Sequence, residues 1–309
     1  MAALVEVREG YVGSADGVRL YYRLVGDAAD PVVVLHGGPG FSMRYLEDDL
    51  APLAQERSVL FYDQRGTGRS TLVDSAPALD AVRFAEDLEA VRRHFGLEHL
   101  VLLGHSWGAG VAALYATRYP QRIARLIVVG GMPLRRAEFD RTFQRLDASR
   151  KTEARQRLQR RRDAWLSNPA SVRACRRYYE AYFRPFFGRP EVLDASKADF
   201  CAGSPGALRN KIECVDRYTV ASLGDWDWRP ALRALAAPAL IVHGTADVIP
   251  LGSAREWATA LPNSGLLALD GVGHFPYVEV PELFFPAVGA FLAGRWPEGT
   301  DRSGRVEDR

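Results

Sequence analysis

Cysteine is scarce in this chain of 309 residues: there are three, Cys175, Cys201 and Cys214. An odd number without paired C-x-x-C spacing argues against both a disulfide framework and a zinc site. Long apolar runs are missing as well. No stretch reaches the roughly 20 residues needed to cross a bilayer. The opening "MAALVEVREGYVGSADG" has no basic segment followed by an apolar one, so no secretory signal is expected. Charge of one sign is also lacking. Against 40 Lys and Arg stand 38 Asp and Glu, a formal charge of +2, too little to direct the whole molecule to nucleic acid or to an anionic membrane. The six histidines show no metal-ligand spacing, so neither a metal nor an organic cofactor is expected, and activity should survive chelators. What these absences leave is a globular, cytoplasmic protein.

The apolar residues that are present, 47% of the chain, are cut into short runs. "GYVGSADGVRLYYRLVG" places Asp16-Gly17 between two alternating stretches and predicts a hairpin. The runs "VVVLHG" (32–37), "VLFYDQ" (59–64), "LVLLGH" (100–105), "LIVVGG" (126–131), "ALIVHG" (239–244) and "LLALDG" (266–271) follow. Several are apolar throughout, as in strands buried on both faces. Between them "ALDAVRFAEDLEAVRRHFG" and "PLGSAREWATALP" read as amphipathic helices. Strand–helix alternation predicts an α/β fold, a mostly parallel central sheet with helices on both faces.

The alternation stops between about 134 and 230. Residues 135–189 hold 16 Lys and Arg against 6 Asp and Glu, and aromatic residues cluster in "RRYYEAYFRPFF" (176–187). The expected organisation is a first core part over 1–133, a helical cap over 134–230, a second core part over 231–296 and a frayed polar tail over 297–309. The basic cap surface reads as a solvated helix face, or as a surface for an anionic substrate or partner.

"GHSWG" (104–108) fits G-x-S-x-G after a strand and before a helix. In that setting the serine sits on a strained turn that pushes its Oγ into a cleft, and the glycines leave room for neighbouring backbone. A serine hydroxyl is a weak nucleophile at neutral pH and needs a base and an orienting acid. In chain order Ser…Asp…His, Asp247 in "HGTADVIP" and His274 in "GVGHFP" supply them. Asp270 is the less well placed acid. "HGGPG" (36–40) leaves a bare backbone after a strand, so the N–H groups of Gly38 and Trp107 become the candidate oxyanion donors.

With "YDQRGTGRS" (62–70) added, these segments resemble the α/β-hydrolase fold, and within it the proline iminopeptidase branch. The resemblance covers both core parts. It implies Ser106 as nucleophile, Asp247 as acid, His274 as base, a helical cap over the site, and a supporting role for the "DQRG" segment. Aminopeptidases of that branch hold the substrate's free amine with cap glutamates. "LRNKIECVDRY" (208–218) resembles one such cap segment and implies Glu213 as substrate-binding anchor. The branch's other glutamate-bearing motif, with paired tryptophans, has no counterpart, since "AWLSNP" (164–169) carries one. The expected activity is a serine hydrolase that releases N-terminal residues from a short-peptide or small-molecule substrate. A carboxylesterase or lactonase, or a non-hydrolytic ligand-binding member, are the alternatives.

Overall fold

The computed structural model describes residues 6–302 except residue 56. Eight strands form one sheet: β1 (Val7–Gly13), β2 (Arg19–Val25), β3 (Val32–Leu35), β4 (Val59–Tyr62), β5 (Leu100–His105), β6 (Ile123–Val129), β7 (Ala239–Gly244) and β8 (Ser264–Leu269). Their order is β1-β2-β4-β3-β5-β6-β7-β8. β1 and β2 form the expected hairpin around Gly17 and pair antiparallel, β2 meets β4 antiparallel, and every later pairing is parallel.

The apolar runs are explained by which face each residue meets. In β3, Val33 and Leu35 pack into one layer and Val32 and Val34 into the other. Ile241 and Leu240 divide the same way in β7. Burying each such side chain is worth about 1.5–3 kcal/mol, so a strand between two helical layers is mostly apolar. One layer holds helices Ala81–His94, Trp107–Arg118 and Leu251–Ala260, and the other holds helix Pro281–Leu292. Helix Ala81–His94 starts at Asp80, whose carboxylate accepts the Val82 N–H, and ends in Arg92, Arg93 and His94, which complement the helix dipole.

Among the described residues no strand lies between β6 and β7; helices fill the gap, chief among them Arg136–Ser149, Thr152–Leu166 and Val172–Phe183. Arg157, Arg160, Arg161, Arg173 and Arg177 line an outward groove between the last two, away from Ser106.

Two expectations need correction. Cys175 and Cys201 form a disulfide, leaving Cys214 free. The partners are 26 residues apart in sequence, and only the packing of helix Val172–Phe183 against the segment around Phe200 brings their Cα atoms to 6.0 Å. The tail is also folded back as far as it is described. Asp301 pairs with Leu266 at the edge of β8, its carbonyl accepting at 2.7 Å and its N–H donating at 2.9 Å. Trp296 packs on Phe291 beneath it, so an edge strand's free N–H and C=O groups find partners. Residues 303–309 of the predicted tail lie outside the described residues. No helix among the described residues is long and apolar enough to cross a membrane.

Candidate active site

β3 has β4 on one side and β5 on the other, so the loops leaving β3 and β5 part in opposite directions and open a crevice at the strands' carboxyl ends. Ser106 sits there, between the last residue of β5 and the first of helix Trp107–Arg118, at φ 55° and ψ −117°. That left-handed conformation is strained for a residue with a side chain. The Ser106 N–H holds it by donating to Val129 on β6 at 3.0 Å. The flanking glycines are required by contact: a Cβ on Gly108 would lie 2.0 Å from the Leu35 carbonyl oxygen, and one on Gly104 2.7 Å from the Ala109 backbone.

Asp247 follows β7, and His274 follows β8. Asp247 Oδ2 accepts from His274 Nδ1 at 2.8 Å, and Oδ1 accepts the Ile249 N–H at 2.9 Å. Burial pulls this carboxyl's pKa up. The facing His274, its hydrogen bond, His243 and the Ile249 N–H outweigh that and hold it below the usual range. An ionised Asp247 therefore keeps the His274 proton on Nδ1 and leaves Nε2 free as an acceptor. Ser106 and His274 line one cavity together with Gly38. The N–H groups of Gly38 and Trp107 donate to no acceptor among the described residues. Asp270 is exposed and receives the Thr245 hydroxyl at 3.0 Å, away from His274.

His105 borders the same cavity as Ser106, but both its ring nitrogens are engaged elsewhere. The Gly37 N–H donates to the Tyr45 oxygen at 2.5 Å, so the Tyr45 hydroxyl proton goes to His105 Nδ1 at 2.7 Å. His105 Nε2–H then donates to the His274 carbonyl at 3.0 Å. Burial first, then the neighbouring His274, push the His105 pKa down to about 3. It is neutral throughout the working range, and the chain ties the oxyanion loop to the loop of the base. Sequence reasoning missed Tyr45, since nothing local marks it.

The "DQRG" segment supports the same loops. Asp63 accepts the N–H groups of Met43 and Arg69, both at 2.8 Å, even though burial pushes its pKa up to about 6. Gln64 accepts the Trp107 indole N–H at 2.9 Å and donates to the His36 carbonyl at 2.8 Å. Arg65, fully buried, forks onto Asp87 with two 2.7 Å bonds and reaches Asp16 in the hairpin turn at 2.8 Å. Removing a partner from such a pair strands a buried charge. Arg65→Met is therefore expected to cost about 3–5 kcal/mol in urea unfolding, and Arg65→Met/Asp87→Leu to recover part of it.

The cavity wall is aromatic. Phe41 and Phe275 come from core loops and Tyr45 from the short helix Arg44–Glu47; Phe143, Tyr182, Phe183, Phe186 and Phe200 come from the inserted segment. The cavity is small, about 60 Å³, against about 300–1,000 Å³ for sites that take drug-sized ligands. A cleft of about 460 Å³ beside Glu47 and Arg69 is larger, but no histidine lines it.

Glu213 does not reach the cavity. "LRNKIECVDRY" lies across helix Pro205–Asn210, a π turn at Lys211–Val215 and helix Asp216–Ser222. Lys211, Val215 and Thr219 face inward, and Glu213, on the opposite side of the turn, is exposed. The buried member is Lys211, 2.9 Å from Asp216 and 4.2 Å above the Phe41 ring. Among the described residues no three His, Cys, Asp or Glu side chains converge as a metal site.

A family profile described as the alpha/beta hydrolase fold matches residues 30–281. The proline iminopeptidase of Lactobacillus delbrueckii subsp. lactis is 30% identical over 270 residues, covering 84% of this chain and 89% of the relative. That of Clostridium botulinum is 28% identical over 313 residues, covering 93% and 99%. An esterase structure from Rhodococcus sp. ECU1013 superposes with a TM-score of 0.69 at 25% identity, over 92% of this chain and 98% of that one. The chain is a hydrolase of the proline iminopeptidase-like or esterase type, and it belongs to the α/β-hydrolase fold family.

Proposed function

We propose that the protein is a serine carboxylesterase acting on small molecules with a compact, apolar acyl group, through an acyl-enzyme intermediate. Ser106 Oγ attacks the carbonyl while His274 Nε2 takes its proton, and Asp247 steadies the imidazolium. The N–H groups of Gly38 and Trp107 receive the oxyanion, each worth about 2.7–4 kcal/mol in the transition state. His274 returns the proton to the leaving group, then draws a proton from water, which releases the acid. The inserted helices act as a cap that excludes bulk water from these steps.

The observation that carries this reading is the cavity wall. It is aromatic and narrow and, among the described residues, free of carboxylates, so it desolvates an apolar group cheaply and offers a substrate ammonium no countercharge. The second reading, an aminopeptidase, is favoured by the relatives that are proline iminopeptidases.

One panel separates the two: p-nitrophenyl esters of rising chain length against aminoacyl naphthylamides headed by proline. Acetyl and butyryl esters should show the higher kcat/KM. A preference for prolyl naphthylamide would overturn the ester reading. Glu213→Gln should leave both substrate classes within about 2-fold of wild type, as exposed substitutions generally do.

A further inference from the structure

We propose that the Cys175–Cys201 disulfide sets acyl-chain length specificity by holding Phe200 as a partition between the Ser106 cavity and a larger cleft behind it. The inference rests on the serine-hydrolase reading above.

Phe200 lines two spaces. On one side is the cavity of about 60 Å³ that contains Ser106 and His274. On the other is a cleft of about 480 Å³, bordered by Tyr179, Leu193 and Cys201 and by charged side chains, among them Arg44, Arg176 and Glu180. The ring stacks on Phe183 at 4.2 Å and on Tyr45 at 5.2 Å, and meets Phe41 edge-on at 5.3 Å. Its backbone has little support of its own, for residues 196–204 form neither helix nor strand. Two anchors hold the segment. Near its start, Asp49 accepts the Ser196 hydroxyl at 2.9 Å and the Lys197 N–H at 3.0 Å. Beside Phe200, Cys201 is bonded to Cys175 on helix Val172–Phe183, the helix that also presents Tyr182 and Phe183 to the cavity. One covalent bond thus joins two walls of the site. Without it the segment regains chain entropy. Phe200 can then leave its stack, and the cavity and the cleft become one channel long enough for an extended acyl chain.

Opening by reduction is a two-electron exchange. A dithiol gives two electrons and two protons, the S–S bond breaks, two thiols form, and the dithiol closes to its own disulfide. Such bonds persist in oxidising compartments and are mostly open in the cytosol, so the length preference would follow the redox state around the protein.

The test compares acetyl, butyryl and octanoyl p-nitrophenyl esters on four proteins: oxidised wild type, wild type reduced with dithiothreitol, Cys175→Ala/Cys201→Ala, and Phe200→Ala. Reduction is verified by two titratable thiols appearing beside Cys214. The last three proteins should each raise the octanoyl-to-acetyl ratio of kcat/KM about 10-fold or more. In the reduced and double-alanine proteins the change should sit in KM for octanoate, with kcat for acetate unchanged. An unchanged ratio in a folded variant, or an equal loss on both esters, overturns the proposal and leaves the disulfide a purely structural staple. If the double variant does not fold, the reduced wild type and Phe200→Ala decide. Rates of Ser106 labelling by short- and long-chain alkyl fluorophosphonates give the same ratio without any ester substrate. Failure of the ester reading is thereby separated from failure of the clamp.

Discussion

Ser106→Ala is expected to lower kcat by about 10⁶-fold, leaving a residue of rate from the oxyanion donors and binding. The size follows from chemistry: among the described residues, the only other hydroxyls on the cavity wall that holds Ser106, His274 and Gly38 are the phenols of Tyr45 and Tyr182. The fold should be untouched. Alanine retains the Cβ that the φ 55° turn already tolerates, and the Ser106 backbone bonds to Val129 and Met132 remain. The measurement is steady-state turnover of acetyl ester beside a thermal melt. Activity near wild type in a normally melting variant would remove Ser106 from the mechanism.

Asp247→Asn is expected to lower kcat about 10⁴-fold. The reason lies in which atom the substituted amide can turn where. Asp247 Oδ1 accepts the Ile249 N–H, so the carboxamide oxygen of the variant goes there and its NH₂ faces His274 Nδ1. A donor in that place forces Nδ1 to accept and puts the imidazole proton on Nε2, where it cannot take the Ser106 proton. Asp270→Asn, altering an exposed group bonded to Thr245, should stay near wild type. The pair of variants assigns the acid. If the Asp270 variant is dead and the Asp247 variant active, the assignment is reversed.

Much of this was legible in the chain itself, for a local reason. A parallel strand covered on both faces is mostly an apolar run, so "VVVL", "VLFY" and "ALIVHG" announce themselves, and the hairpin announces itself at Asp16-Gly17. A serine squeezed between a strand and a helix needs bare neighbours, and Gly104 and Gly108 are the trace of that contact. Ser106, Asp247 and His274 were legible because each follows its own strand in a recognisable chain order. The inserted segment had no such signal. Its helices pack by aromatic contacts between residues far apart in sequence, and neither the Cys175–Cys201 bond nor the role of Phe200 follows from spacing.

Glu213 shows the same boundary at a single residue. A stretch can match a motif in letters while the turn it adopts rotates the matching side chain to solvent, and the π turn at Lys211–Val215 does that. The sequence by itself determined the sheet, the elbow and the order of the candidate catalytic groups, because backbone hydrogen bonding and two-sided burial constrain residue types along the chain. Only the tertiary structure decided what surrounds Ser106. That wall is assembled from side chains at 41, 143, 182, 183, 186, 200 and 275, and contacts across such separations depend on how layers pack rather than on any local pattern.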